Sequence, residues 1–195
     1  MTRQDVVKKS KQIATHEKVV AEYNKISPLP VGYKLKLSDD WCAAYVTVVL
    51  HLCNYDKLNE CSVPRMIAKA RNLNIWITSY YKPQPGDLVV YDWDYIKDGD
   101  HIGIITDIDS SGYITVREGN KNNSIGLRVL KYSDSCITGY IAPKYKKEAA
   151  TVTDTYKTVD DIVMAILAGD FGNGEERKEK LYDYFQKKVN DKLSR

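Results

Sequence analysis

No run of about 18 apolar residues occurs in these 195, so no transmembrane helix and no membrane insertion are expected. The N-terminal stretch MTRQDVVKKSKQIATHEKVV has no apolar core behind its charges, which predicts no secretory signal peptide. Cysteine is scarce, at positions 42, 53, 61 and 136, and no two form a CxxC pair. That argues against a zinc site of the usual spacing and fits a chain made in a reducing cytoplasm. Charge of one sign is lacking too: the net is +3, with −1 on residues 151–195 and +4 on the rest. A nucleic-acid binder would carry a strong basic patch, so no nucleic-acid partner is expected. Phenylalanine is nearly absent, two copies against 15 tyrosines, and rings with a polar tip suit wet binding surfaces as well as half-buried strands.

What is present is globular. A composition 43% hydrophobic and 28% charged is too apolar for a disordered chain, and the length suits one large domain, or one domain with a small satellite. Apolar spacing over residues 4–24 fits one or two amphipathic helical turns. SDDWCAAYVTVVLHLC then offers Ser38, Asp39 and Asp40 as N-caps for a helix beginning near Trp41, and Val63–Ala70 reads as another helix with Pro64 in its first turn. After Leu73 the period becomes that of strands. Runs at Asn74–Tyr81, Leu88–Trp93, Asp100–Asp107, Tyr113–Asn120, Leu127–Lys131 and Cys136–Ile141 are separated by turn clusters, including a hairpin turn at Asp109–Gly112. Helices followed by an antiparallel sheet predict an α+β fold. Residues 148–157 read as a linker, and 158–195 as a small helical domain whose stripe of Ile162, Val163, Ile166 and Leu167 ends at Gly169.

Cys42 stands in the first turn of its predicted helix, with Tyr45, Val46, Val49, Leu50 and Cys53 on its inward face. A thiol at a helix N-terminus feels the positive dipole end, which favours thiolate. Cys53, Cys61 and Cys136 lack that position and read as small apolar fillers. Among the histidines, His51 falls on the opposite helix face and His16 on a polar, exposed helix, which leaves His101, at the head of the strand DHIGIIT, as the partner for a cysteine. If the hairpin turn centres between Ser110 and Ser111, His101 faces Asn120 and Gly103 faces Glu118. Alternation then sets an amide and a carboxylate on the face of the histidine, and the glycine leaves room beside it. Either could fix the imidazole tautomer that takes a proton from a thiol. Solvated strand residues would show the same spacing.

The runs DDWCAAYV (39–46), PQPGDLVVYDW (83–93), DHIGII (100–105) and TVREGN (115–120) resemble the CHAP domain, an NlpC-like branch of papain-type cysteine peptidases. The resemblance covers about residues 1–145. It implies a papain-like catalytic domain over 1–147 that hydrolyses amide bonds of bacterial peptidoglycan, as in phage endolysins. It also implies Cys42 as nucleophile, His101 as base and then acid, and Glu118 or Asn120 as the group that orients His101. The implied reaction is N-acetylmuramoyl-L-alanine amidase or endopeptidase cleavage, with specificity in loops around Pro28–Leu37 and Tyr91–Asp98. No cofactor is expected. Where some members carry a calcium loop, this chain has lysines in VGYKLKLSDDWC, and the later acidic run Asp92, Asp94, Asp98 and Asp100 reads as a solvated loop, so no metal is expected either.

The tail, TVDDIVMAILAGDFGNGEERKEKL with the later Val189-Asn190, resembles the short three-helix, CW-type cell-wall-binding repeat of phage lysins. It has Phe171 where tryptophan is usual, and a shortened link around Leu181–Tyr184. The resemblance implies wall-binding residues among Asp170, Phe171, Asn173 and Arg177, with oligomerisation through the repeat as a source of avidity. Together the two modules imply an endolysin that waits in the host cytoplasm and is released to the wall. The alternatives are a non-catalytic wall-binding or structural protein with an inactive papain-like domain, and a cysteine peptidase or transferase acting on proteins, which leaves the tail unexplained.

Overall fold

Nine of the ten side chains of the helix Cys42–His51 are buried, and this element organises the first part of the chain. The sequence CAAYVTVVL is apolar on every side, and a helix of that kind is stable only when enclosed. A computed structural model describes residues 1–26, 34–78, 80–94, 99–146 and 158–193. They fall into two compact units, Met1–Lys146 and Lys147–Arg195. The linker expected at 148–157 lies outside the described residues.

In the first unit four helices precede six strands. The turns expected over 4–24 are two full helices, α1 (Arg3–Gln12) and α2 (His16–Ile26). Thr2 and Asp5 close a capping box at the head of α1: the hydroxyl accepts from the Asp5 N–H and the carboxylate from the Thr2 N–H. The enclosed helix is α3 (Cys42–His51), and α4 (Val63–Asn72) takes Pro64 in its first turn, where no N–H is missed.

The strands are β1 (Trp76–Thr78), β2 (Leu88–Tyr91), β3 (His101–Ile108), β4 (Tyr113–Lys121), β5 (Ser124–Lys131) and β6 (Ile137–Ile141). They form one antiparallel sheet in the order β1-β6-β2-β3-β4-β5, so the unit is α+β. Alternation along β2 explains why all four of its residues are buried. Leu88 and Val90 join the core packed with the helices, while Val89 and Tyr91 join a second core with Ile105, Val116 and Tyr140. The β3–β4 turn is held by Asp109, whose carboxylate accepts from the N–H groups of Ser111 and Tyr113, both at 2.9 Å. Gly103 pairs with Glu118 and Ile104 with Arg117 as expected, but not for the expected reason. The turn is centred on Ser111, pairing Ile108 with Ile114, and a register shift between Ile105 and Asp107 brings the strands back to those pairs.

The second unit holds α5 (Val159–Ala168) and α6 (Gly174–Leu193). Thr158 and Asp161 form the capping box of α5, and Gly169, at φ 87°, supplies its left-handed C-cap. The third helix expected here is corrected. Residues 181–184 contain neither glycine nor proline, nothing interrupts the backbone hydrogen bonding, and α6 runs through them for 20 residues. No helix among the described residues is long and apolar enough to cross a membrane.

Candidate active site

Cys42 is the first residue of α3, but none of the three residues proposed as its cap performs that role. Trp41 occupies the N-cap position without a side-chain hydrogen bond. Asp39 instead accepts from the Lys36 N–H at 2.6 Å, and the Asp40 carboxylate accepts from Asn120 Nδ2 at 2.9 Å. With no side chain capping them, the first-turn N–H groups present the positive end of the helix beside the Cys42 sulfur. The indole of Trp41 is pinned from two directions. It stacks on His16 with ring centroids 4.3 Å apart, and its Nε1 donates to Asn123 Oδ1 at 3.2 Å. His16 is therefore not the exposed helix residue that its polar surroundings suggest.

Two glycines permit close packing here, Gly103 of β3 against the side chains of β4 and Gly119 of β4 against α3. A Cβ at Gly103 would lie 2.5 Å from Val116 Cγ1 and 2.9 Å from Glu118 Cγ. One at Gly119 would lie 2.5 Å from Tyr45 Cβ. Real side chains do not approach so closely, so Gly119 is what lets the strand that carries Glu118 lie against α3.

On that scaffold Cys42, His101 and Glu118 come together. Glu118 is fully buried and Cys42 nearly so. His101 Nε2 lies 3.3 Å from Glu118 Oε2, near enough for an ion pair although not aligned as a hydrogen bond. The Cys42 thiol, at the head of α3, is near enough to the same imidazole to favour its protonated form. With Nε2 turned to Glu118, the other ring nitrogen is left for the thiol. Burial works to strip the proton from His101, but Cys42 and Glu118 outweigh it and raise the imidazole to about 9. Burial likewise pushes Glu118 up, yet His101 and Arg128 hold it below the usual carboxylate range. A thiol, an imidazole that keeps its proton and a buried carboxylate form the set needed to generate a thiolate and then protonate a leaving amine.

Asn120 does not share the face of His101 as alternation predicts. It sits at φ 59°, in the left-handed region, and the β4–β5 register shifts between Glu118 and Lys121. The period of two therefore stops at Glu118, and the Asn120 amide reaches Asp40 instead. Asn120 still borders a cleft of about 310 Å³, together with Trp93, His101, Lys121, Asn122 and Arg128.

Three members of the site were not singled out from sequence. Arg128 on β5 grips Glu118 with both arms of its guanidinium, Nε to Oε1 at 2.7 Å and Nη2 to Oε2 at 3.1 Å. Tyr91 stacks on His101 at 5.7 Å and on Trp93 at 5.0 Å, and burial with the Glu118 charge beside it pushes its phenol up. A signal for Arg128 existed. Asn122 and Asn123, both with positive φ, make the β4–β5 turn, and the resulting register sets Arg128 opposite Val116, diagonal to Glu118.

The acidic run gathers in part. Asp92, Asp94 and Asp100 each offer a carboxylate oxygen within 4.8 Å of the others, while Asp98 lies outside the described residues. Such oxygens suit a hard cation and equally a hydrated acidic turn, and Asp100 also accepts from the Trp93 N–H. Of the two loops expected to set specificity, parts of each also lie outside the described residues.

In the second unit, Phe171 is fully buried and cannot meet a ligand as expected: with Ala165 and Tyr184 it supplies the buried apolar residues of a very small unit. Arg177 turns back on its own loop, donating to the Gly172 carbonyl at 2.9 Å and to Asn173 Oδ1 at 2.8 Å. Asp170 and Asn173 are exposed.

A cysteine heading a buried helix, faced by a His–Glu pair on adjoining antiparallel strands, defines an α+β domain of papain-like architecture. Residues 32–120 match the CHAP domain, and residues 160–193 match the CW_7 repeat. The protein thus carries a CHAP domain, which generally marks a cysteine-dependent peptidoglycan hydrolase, joined to a repeat that implies cell-wall binding. No curated protein matches the chain.

Proposed function

We propose that the protein is a phage-type endolysin that cleaves one peptidoglycan amide bond through Cys42, His101 and Glu118. The pairing of one imidazole with the buried Glu118 carboxylate at 3.3 Å, beside a thiol that raises its proton affinity, carries this reading. The Cys42 thiolate adds to the amide carbonyl carbon, forming a C–S bond, and the imidazolium of His101 gives its proton to the departing nitrogen as the C–N bond breaks. His101, now neutral, takes a proton from water, which attacks the thioester and releases the acid and the free thiol. Glu118 holds the ring in the productive orientation and offsets its charge. Asn120 acts at one remove, tying the end of β4 to Asp40 just ahead of the helix that carries the nucleophile.

The bond is that between N-acetylmuramic acid and L-alanine, or an amide within the stem or cross-bridge; mass spectrometry of released muropeptides distinguishes the two. The repeat holds the enzyme on the wall, with the exposed Asp170 and Asn173 beside its Arg177-braced loop. One copy of so small a module binds weakly, and self-association through it would supply avidity, which sedimentation of the intact protein tests. The enzyme collects in the host cytoplasm and reaches the wall at lysis. The decisive experiment is turbidity clearance of susceptible walls: Cys42→Ala abolishes clearance while pelleting with the walls as wild type does. Clearance by that variant defeats this reading, whereas a wild type that pellets with walls and clears none of them favours a wall-binding protein with an inactive papain-like domain.

A further inference from the structure

Glu118 is gripped by a second cation besides the imidazole that the reaction uses. Its Oε1 accepts from Arg128 Nε, while Oε2 lies 3.1 Å from Arg128 Nη2 and 3.3 Å from His101 Nε2. The guanidinium therefore fixes the carboxylate plane, and with it the position of the oxygen that faces the imidazole. Arg128 is itself held, its Cζ lying 5.3 Å from the Tyr91 ring centre and 5.0 Å from that of Trp93. Tyr91 in turn stacks on His101, so the arginine and the imidazole share one aromatic wall. A carboxylate with no exposed surface, facing a single cation that must give its proton away in the reaction, would take up a proton itself. The second, permanent cation prevents that. The groups facing Glu118 are Tyr91 from β2, His101 from β3 and Arg128 from β5. Cys42 from α3 acts through His101, and Cys136, ahead of β6, acts on Arg128 and Tyr91.

We propose that Arg128 is the positioning residue of this site: its two-point grip orients Glu118 and keeps it ionised while His101 cycles between imidazolium and imidazole. The inference rests on the reading of Cys42, His101 and Glu118 given above. A lysine keeps the charge but not the fork, and a methionine keeps neither.

The test is the pH profile of wall clearance, and of Cys42 alkylation by iodoacetamide, for the intact protein and for Arg128→Lys and Arg128→Met. Arg128→Met lowers the rate at saturating wall about tenfold or more and moves the acidic limb of both profiles up by roughly one pH unit, as the buried Glu118 takes up a proton more readily. Arg128→Lys returns the limb towards its wild-type position without returning the rate. A rate lowered equally at every pH, with no movement of the limb, overturns the proposal and leaves Arg128 a structural brace. Full wild-type rate in Arg128→Lys overturns the need for the fork, and this variant carries the test alone if Arg128→Met does not fold. Cys42→Ala runs alongside: clearance by that variant defeats the underlying site, whereas its inactivity beside unshifted Arg128 profiles defeats this inference only.

Discussion

The two units place their charged residues in opposite ways. In Met1–Lys146 a carboxylate is enclosed at the site and surrounded by partners, Glu118 lying between His101 and Arg128. In Lys147–Arg195 no charged side chain among the described ones is buried: Glu175–Lys178 and Glu176–Lys180 are pairs on the helix surface, and the interior is Ala165, Phe171 and Tyr184. Enclosed charge demands a precise surrounding structure, and that is the condition in which an imidazole can be held well away from its ordinary proton affinity. Surface pairs demand little and contribute little. The larger unit therefore encloses charge that its fold must hold in place, and the smaller one leaves its described charges on the surface.

The comparison breaks most sharply at Cys42, the proposed nucleophile. Cys42→Ala or His101→Ala is expected to lower wall clearance on the order of a thousandfold or more, with wall retention unchanged, as co-sedimentation with walls will report. Next is the enclosed charge. Glu118→Ala leaves His101 and Arg128 without their anion, and should lower unfolding stability by roughly 2–3 kcal/mol in urea, less than for a fully enclosed pair because Arg128 is partly exposed. In the second unit the large effect must come from the core. Phe171→Ala should destabilise that unit by about 3–4 kcal/mol, seen as loss of wall retention and of part of the helical circular dichroism, while the first unit still cleaves soluble muropeptides. Asn173→Ala, which removes one acceptor of Arg177, should change its melting by no more than about 1 kcal/mol.

A further effect concerns pH. His101 is raised from 6.5 to about 9 in the folded protein, so the stability that its protonation contributes is complete below about pH 6.5 and is lost as the pH rises towards 9. The urea midpoint of the wild type should fall across that window, and that of His101→Gln should fall less. An equal fall in both would mean that the imidazole is not held by Cys42 and Glu118.

The comparison also separates what was legible from what was not. Cys42 at a helix head and His101 at a strand head are consequences of local periodicity and can be read from the chain. Glu118 opposite Gly103 was read correctly, but a register shift between Ile105 and Asp107 makes up for a turn centred on Ser111. Asn120 could not be placed that way, because a single left-handed residue and a register shift end the alternation on which the reading depends. The Asp39 and Asp40 carboxylates look like caps locally, but Lys36 and Asn120 take them. His16 looks solvated until Trp41 covers it. Phe171 looks like a ligand contact because its position in the loop resembles one, yet so small a unit takes it for the core while Phe185 stays half exposed.

By itself the sequence determined the α+β order of elements, the thiol at the start of an enclosed helix, the histidine strand and the hairpin that carries Glu118. Each follows from interactions between residues close along the chain, where spacing and turn chemistry decide the outcome. Only the tertiary structure decided that Glu118 is the group that pairs with His101, and that Arg128 grips both oxygens of that carboxylate. Those choices depend on twist, on a register shift and on the balance of charges enclosed together. Such quantities exist only once strands distant in sequence share an interior with little water to screen them.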